Sequence, residues 1–168
     1  PSLLLFGEPS SSIIAASTTS IPEALGTERT WDYRYCWLRD AAFVVEALRR
    51  LSHLAEGERF IEFLRRTVET KGLQPVYGIG GEAELHERML PHLAGFGGNG
   101  HVRIGNAAFF QRQHDLMGEI VLCLDTVLGD PRIVEDDPHA VFPLVQRLVE
   151  QAISAAAQPD TGIWEFRT

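Results

Sequence analysis

Trp31-Asp32-Tyr33-Arg34-Tyr35-Cys36-Trp37-Leu38-Arg39-Asp40 runs directly into Ala41-Ala42-Phe43-Val44-Val45-Glu46-Ala47-Leu48-Arg49-Arg50, and the change of pattern at Asp40 sets the fold. Beyond Asp40, Phe43, Val44, Ala47, Leu48, Leu51 and Leu54 recur at helical spacing, which predicts a helix over Ala41–Leu54 with that stripe inward. Asp40 stands where the N-cap of that helix belongs. Ala55-Glu56-Gly57 reads as a short break, after which Phe60, Ile61, Leu64 and Val68 form a second stripe. Two such stripes with a tight connection predict an αα-hairpin.

Downstream, Lys71 to about Gly105 reads as one long connection with nine glycines and two prolines. Connections of that length inside a domain are usually functional or disordered. A further helix is expected from about Asn106 to Leu128, with Leu116, Met117, Ile120, Val121 and Leu124 inward, ended by Gly129-Asp130-Pro131. Asp137-Pro138 then offers an N-cap and first-turn pair for a helix through Phe142, Val145, Leu148, Val149, Ala152 and Ile153. Pro159-Asp160-Thr161-Gly162 stops it, completing a second hairpin. Only Ser12–Ser20 looks strand-like, so an all-α architecture is expected. No internal repeat or low-complexity segment is present.

The bulk properties narrow the function classes. With 168 residues, 45% hydrophobic and 23% charged, the chain suits one soluble globular unit with its own core. A net charge of −8 argues against nucleic acid, whose partners usually present a clustered basic face. No apolar run approaches the roughly 20 residues of a bilayer span. Leu3-Leu4-Leu5-Phe6 is too short for a signal core and lacks a basic start. Cys36 and Cys123 sit in apolar surroundings outside any C-x-x-C frame, so buried free thiols and a cytoplasmic setting are expected.

Four of the fifteen aromatic residues fall between Trp31 and Trp37, interleaved with Asp and Arg. Sugars call for this mixture, because flat rings cover pyranose C–H faces while carboxylates and guanidinium groups take the hydroxyls. A structural cluster with a buried Arg–Asp pair at a helix start would have the same composition, and composition does not separate the two. Trp164-Glu165 is a second candidate, since a carboxyl against an indole is poorly solvated when charged and suits proton donation. A solvated Glu beside a core Trp is the plainer alternative. Arg103-Ile104-Gly105-Asn106, leading to Gln111-Arg112-Gln113, reads equally as a hydroxyl-binding rim or a polar helix entry. Other chemistries fail on spacing. His86-Glu87 begins a zincin-like motif, but Leu90 occupies the second ligand position. No Gly-Lys-Ser/Thr phosphate loop and no G-x-S-x-G elbow occurs.

Taken in order, Ala15–Glu23, Arg29–Asp40, Val76-Tyr77-Gly78-Ile79, Val102–Ala108 and Gly162-Ile163-Trp164-Glu165 resemble the prokaryotic branch of glycoside hydrolase family 15. That family holds glucoamylases, glucodextranases and related bacterial trehalases. The resemblance implies an (α/α)6 barrel, of which residues 1–168 are one single fragment of the catalytic domain. It implies that Arg39 and Asp40 grip the non-reducing-end glucose, that Tyr33 and Trp37 wall the same subsite, and that Glu165, after Trp164, is the general acid. Arg103 and Asn106 are expected near the rim.

The implied reaction inverts the anomeric centre, with a second carboxylate activating water about 6.5–9.5 Å from the acid. It needs no metal or cofactor. In the family that base follows the W-E motif by a long stretch, so it is expected outside these residues, and the chain alone is expected not to turn over. The expected substrates are trehalose, maltooligosaccharides or other α-glucans. Helix faces left open by a partial barrel are expected to promote self-association. A non-catalytic sugar-binding remnant is the alternative from another class; a helical scaffold of the epimerase kind lacks support, because no His-based proton-transfer pair lies in the aromatic block.

Overall fold

The computed structural model describes residues 10–133 and 139–165. Leu3–Phe6 and the Asp137-Pro138 pair lie outside the described residues. Four α-helices carry the core: α1 (Leu38–Arg50), α2 (Leu54–Lys71), α3 (Asp115–Leu128) and α4 (Phe142–Ala155). Six short strands accompany them among the described residues: β1 (Thr19–Pro22), β2 (Thr30–Asp32), β3 (Cys36–Trp37), β4 (Val76–Tyr77), β5 (Arg88–Leu90) and β6 (Val102–Ile104). They pair antiparallel as β1–β2, β3–β4 and β5–β6. The expectation of an all-α chain therefore misses three small sheets. Each strand is only two to four residues long, too short for a period of two to stand out against the glycines around it.

Helix α1 packs against both α2 and α3, and α3 packs on α4. It starts three residues before the predicted Ala41, because Cys36-Trp37 pairs with Val76-Tyr77 and the chain turns helical directly from that strand. Trp37 is consequently the N-cap, and Asp40 lies in the first turn instead of capping it. The buried face is also different. Leu38, Ala41, Ala42, Val45 and Leu48 point inward, whereas Phe43 and Leu51 are exposed. Helix α1 carries apolar residues on two faces, and periodicity alone does not say which of them meets this core. The same holds in α4, where Leu144 and Leu148 are buried while Phe142, Val149 and Ile153 are exposed.

The stripe of α2 is buried as expected at Phe60, Ile61, Leu64 and Val68. Its predicted break at Ala55-Glu56-Gly57 lies inside the helix, and the turn falls instead at Leu51-Ser52-His53, where Ser52 takes φ 65°. Gly57 sits where α2 meets α1 and α3, and a Cβ there would lie at ordinary contact distance, 3.5 Å, from both Val45 and Val127. In α3, Leu116, Met117, Ile120 and Leu124 are buried as expected, joined by Cys123 and Val127, while Val121 is partly buried. Residues 106–114 are not α-helical. They form a 3₁₀ turn at Ala107–Phe110 followed by extended chain.

The connection after α2 is ordered by its own hydrogen bonds. Fully buried Tyr77 donates its hydroxyl to the Gly72 carbonyl, and Gln74 donates from Nε2 to Val76 O (2.7 Å) and Ala83 O (2.8 Å). Cys36 and Cys123 are both free and buried. No helix among the described residues is long and apolar enough to cross a membrane.

Candidate active site

Strand alternation divides the aromatic block between two jobs. In β2, Thr30 and Asp32 are buried while Trp31 faces the other way. Asp32 is fully enclosed and accepts from Arg34 Nε and Nη2, both at 2.8 Å, and from Asn106 through its backbone carbonyl (3.2 Å). Asp32–Arg34 is thus the structural pair that composition left open. Arg39 and Asp40 are the other half of the block, carried by the first turn of α1 to a shared cavity of about 440 Å³. Tyr33, Trp37, Asn106, Trp164 and Glu165 line the same cavity, so seven of the eight sequence-derived site residues converge there.

The eighth, Arg103, does not line it. Its guanidinium lies behind Trp31, 4.5 Å from the ring centroid, and its Nη1 pairs with Glu87 at 3.3 Å. Strand β6 sets that position, because Arg103 N donates to Ser20 Oγ (2.8 Å) and Arg103 O accepts from Thr19 Oγ1 (2.8 Å). Asn106 is placed by Gly105, whose φ of 81° turns the chain beside Leu85 and His86. From there Asn106 N donates to Leu85 O (2.8 Å), and its side chain caps the 3₁₀ turn through Ala108 N (3.0 Å).

At the centre, one oxygen of Glu165 gathers three polar contacts. Trp37 Nε1 donates to Oε1 at 2.8 Å, Gln113 Nε2 donates to it at 3.1 Å, and Arg39 Nη2 lies 3.7 Å away. Gln113 in turn accepts from Arg39 Nη1 (2.9 Å), so one amide bridges guanidinium and carboxyl. Glu165 itself adopts φ 52°, a left-handed conformation uncommon for a residue with a side chain.

The indole against this carboxyl is that of Trp37, not its neighbour in sequence. Trp164 is 76% exposed, on the outer wall of the cavity. Tyr33 tilts against Trp37 with ring centroids 5.7 Å apart, continuing the aromatic wall.

Arg39 is surrounded by carboxylates. Asp40 Oδ2 lies 3.4 Å and Asp115 Oδ2 3.7 Å from it, in addition to Glu165. Burial pushes the Asp40 carboxyl above its usual range; Arg39 opposes that shift, and the nearby Glu165 charge adds to it. One Asp40 oxygen is shut away without a hydrogen-bond partner, while the side chain as a whole remains 46% exposed toward the cavity. Asp115, in the first turn of α3, has both oxygens enclosed and unpartnered by hydrogen bonds. Among the described residues no group of three or more His, Cys, Asp or Glu is arranged to hold a metal ion.

Gln113, in sequence part of a stretch that reads equally as a rim or a helix entry, lies beside Arg39 and Glu165. Asp115 carries no sequence signal and is an ordinary polar residue at a helix entry until Arg39 is placed beside it. Glu23, Arg29 and Trp31 also line the cavity without having been assigned a role.

A family profile described as Glycosyl hydrolases family 15 matches residues 1–168. The chain belongs to glycosyl hydrolases family 15. It is 42% identical over 164 residues to a trehalase of Mycolicibacterium smegmatis, covering 95% of this chain and 24% of that protein. A trehalase of Mycobacterium tuberculosis matches with the same identity and the same coverage of both chains. A trehalase of Thermoplasma volcanium is 35% identical over 166 residues, which is 98% of this chain and 26% of the relative. The chain thus spans about a quarter of the length of the curated relatives it matches. No solved structure matches it at a significant level. Tyr33, Trp37, Arg39 and Asp40, from one stretch of sequence, and Glu165, from the other end, line one cavity.

Proposed function

We propose that this chain carries the general acid and the glucose-gripping half of an inverting, exo-acting α-glucoside hydrolase whose substrate is trehalose. The supporting observation is that Arg39 and Glu165 line one cavity and are bridged from behind by Gln113, with Trp37 donating to the same carboxyl oxygen. In this reading Arg39 and Asp40 take the hydroxyls of the terminal glucose as charge-assisted hydrogen bonds. Trp37 and Tyr33 cover its C–H face, with Asn106 and Trp164 at the edges. Arg103 acts from behind, by fixing Trp31. Glu165 Oε1 is held in place, and Oε2 delivers the proton to the leaving glycosidic oxygen. Trehalose is favoured over maltooligosaccharides and other α-glucans because the relatives above are named trehalases.

Inversion requires a second carboxylate on the opposite face of the sugar, with room for water between. Asp40 and Asp115 both lie against Arg39 on the acid's own side. The family resemblance puts the base well after the W-E motif, in a part of the family-length catalytic domain beyond these residues, which together form one piece of an (α/α)6 barrel. Phe43, Phe142 and Ile153, exposed here, are the faces through which further helices, or a second copy, would pack. A cytoplasmic setting goes with the two unpaired cysteines.

The test is glucose release from trehalose and from maltotriose by the full-length gene product, with the first-formed anomers followed by NMR. Trehalose is expected to be cleaved to one equivalent each of β-glucose, from the inverted ring, and α-glucose, from the leaving ring, and Glu165→Gln is expected to lower the rate by at least about a hundredfold. Residues 1–168 alone are expected to release nothing. A Glu165→Gln protein with undiminished turnover would refute the acid assignment; cleavage of maltotriose alone would refute the substrate.

A further inference from the structure

Trp31 is fixed more firmly than an incidental wall residue requires. Its Nε1 donates to Glu23 Oε1 at 2.7 Å, and the Arg103 guanidinium lies over its ring. Glu23 Oε2 accepts from Arg29 Nε, and Glu23, Arg29 and Trp31 all line the cavity that holds Glu165. Arg29 is 67% exposed along its side chain, so its remaining N–H groups reach open space. The hydrogen bond from Arg29 holds the Glu23 carboxyl below its usual range, which keeps it an acceptor.

This cluster is built on β1, β2 and the turn between them, whereas Arg39, Gln113 and Asp115 are carried by α1 and the start of α3. The cavity volume of about 440 Å³ lies within the ~300–1,000 Å³ usual for drug-sized ligands, so more than one sugar ring fits. A disaccharide cleaved by Glu165 has one ring on each side of the scissile oxygen. With the first ring gripped at Arg39 and Asp40, the second needs its own platform and its own hydroxyl partners. An indole with a carboxylate and a guanidinium at its edge is that combination.

We propose that Glu23, Arg29 and Trp31 form the leaving-group subsite, holding the second glucose of the disaccharide and setting the preference for a sugar as leaving group. Trp31 covers a ring face, while Glu23 accepts from and Arg29 donates to neighbouring hydroxyls. Arg103 is a positioning residue that acts through Trp31. This inference rests on the glucose-gripping role given above to Arg39 and Asp40.

The test is calorimetric titration of the full-length gene product carrying Glu165→Gln, so that the disaccharide survives. Trehalose and methyl α-glucoside are compared, the latter filling only the glucose side. Trehalose is expected to bind more tightly. Trp31→Ala and, separately, Arg29→Gln on the exposed side chain are each expected to weaken trehalose about tenfold. Methyl α-glucoside is expected to change by less than about threefold, and Trp31→Phe to retain most of the affinity. Equal weakening of both ligands, unchanged trehalose binding in both variants, or no advantage of trehalose before substitution would each overturn the leaving-group subsite alone. If neither ligand binds the starting protein, the glucose-gripping reading falls, and this inference falls with it.

Discussion

Gly105 and Gly26 both have φ of 81°, and they differ in what a side chain would meet. A Cβ at Gly26 has nothing within 4 Å, whereas one at Gly105 would lie 2.2 Å from the His86 carbonyl oxygen and 2.7 Å from that of Leu85. Alanine at either position costs about 1–2 kcal/mol for the left-handed backbone. About 0.4–1 kcal/mol returns through the reduced freedom of the unfolded chain. Gly26→Ala should therefore lose only about 1 kcal/mol. At Gly105 the His86 carbonyl must also retreat by about 1 Å from backbone contact, an overpacking cost of about 1–3 kcal/mol, for a total of about 2–4 kcal/mol.

With a urea slope of about 2 kcal/mol per molar, the unfolding midpoint should drop by about 0.5 M for Gly26→Ala and about 1–2 M for Gly105→Ala. The carbonyl of Leu85 accepts from Asn106 N, so the retreat also displaces a cavity-lining residue. Weakened methyl α-glucoside binding is accordingly expected for Gly105→Ala and not for Gly26→Ala. Equal midpoints for the two variants would refute the reasoning, because only the collision distinguishes them.

Gly57 makes the opposite prediction. Its backbone is helical, and a methyl group would touch Val45 and Val127 at ordinary contact distance, so Gly57→Ala should stabilise the fold by about 1 kcal/mol and Gly57→Leu destabilise it by about 1–3 kcal/mol, both read from urea midpoints. Asp130 links the end of α1 to the α3–α4 turn, accepting from Arg132 Nε (2.9 Å) and Nη2 (2.7 Å) and from Arg49 Nη1 (3.1 Å). The Arg132 side chain, foremost among these, holds its carboxyl below the ordinary carboxylate range. A group depressed in the folded state adds stability above its unfolded pKa of about 3.9 and loses it as pH falls toward the folded value. Thermal midpoints should thus fall below about pH 4 in the parent, while Asp130→Asn should begin lower at pH 7 and fall less.

The helices were legible where one apolar face dominates and blurred where there are two. Helix α2 shows Phe60, Ile61, Leu64 and Val68 on a single stripe, and all four are buried. Helix α1 shows Phe43 and Leu51 as prominently as Val45 and Leu48, yet the first pair is exposed. Nothing local distinguishes the faces; the choice depends on where α2 and α3 stand. The start of α1 was misplaced for a similar reason. Trp37 enters the helix from a strand paired to Val76, some forty residues on, and a distant partner leaves no trace in the spacing.

The site was legible as residue types and illegible as contacts. Composition left the aromatic block and Trp164-Glu165 open; the family resemblance picked out Arg39, Asp40 and Glu165, and these three line one cavity. Which indole meets Glu165 could not be read from adjacency, since Trp164 points outward and Trp37, 128 positions away, donates the hydrogen bond. Gln113 shows the same limit from the other side. A glutamine at a helix entry carries little signal alone, but here it accepts from Arg39 and donates to Glu165, joining the two residues proposed to grip the sugar and to deliver the proton. In the proposed reading the amide couples the sugar subsite to the acid: a glucose hydroxyl that takes Arg39 Nη1 removes one partner of Gln113 Oε1, while Nε2 still donates to Glu165 and Gln111.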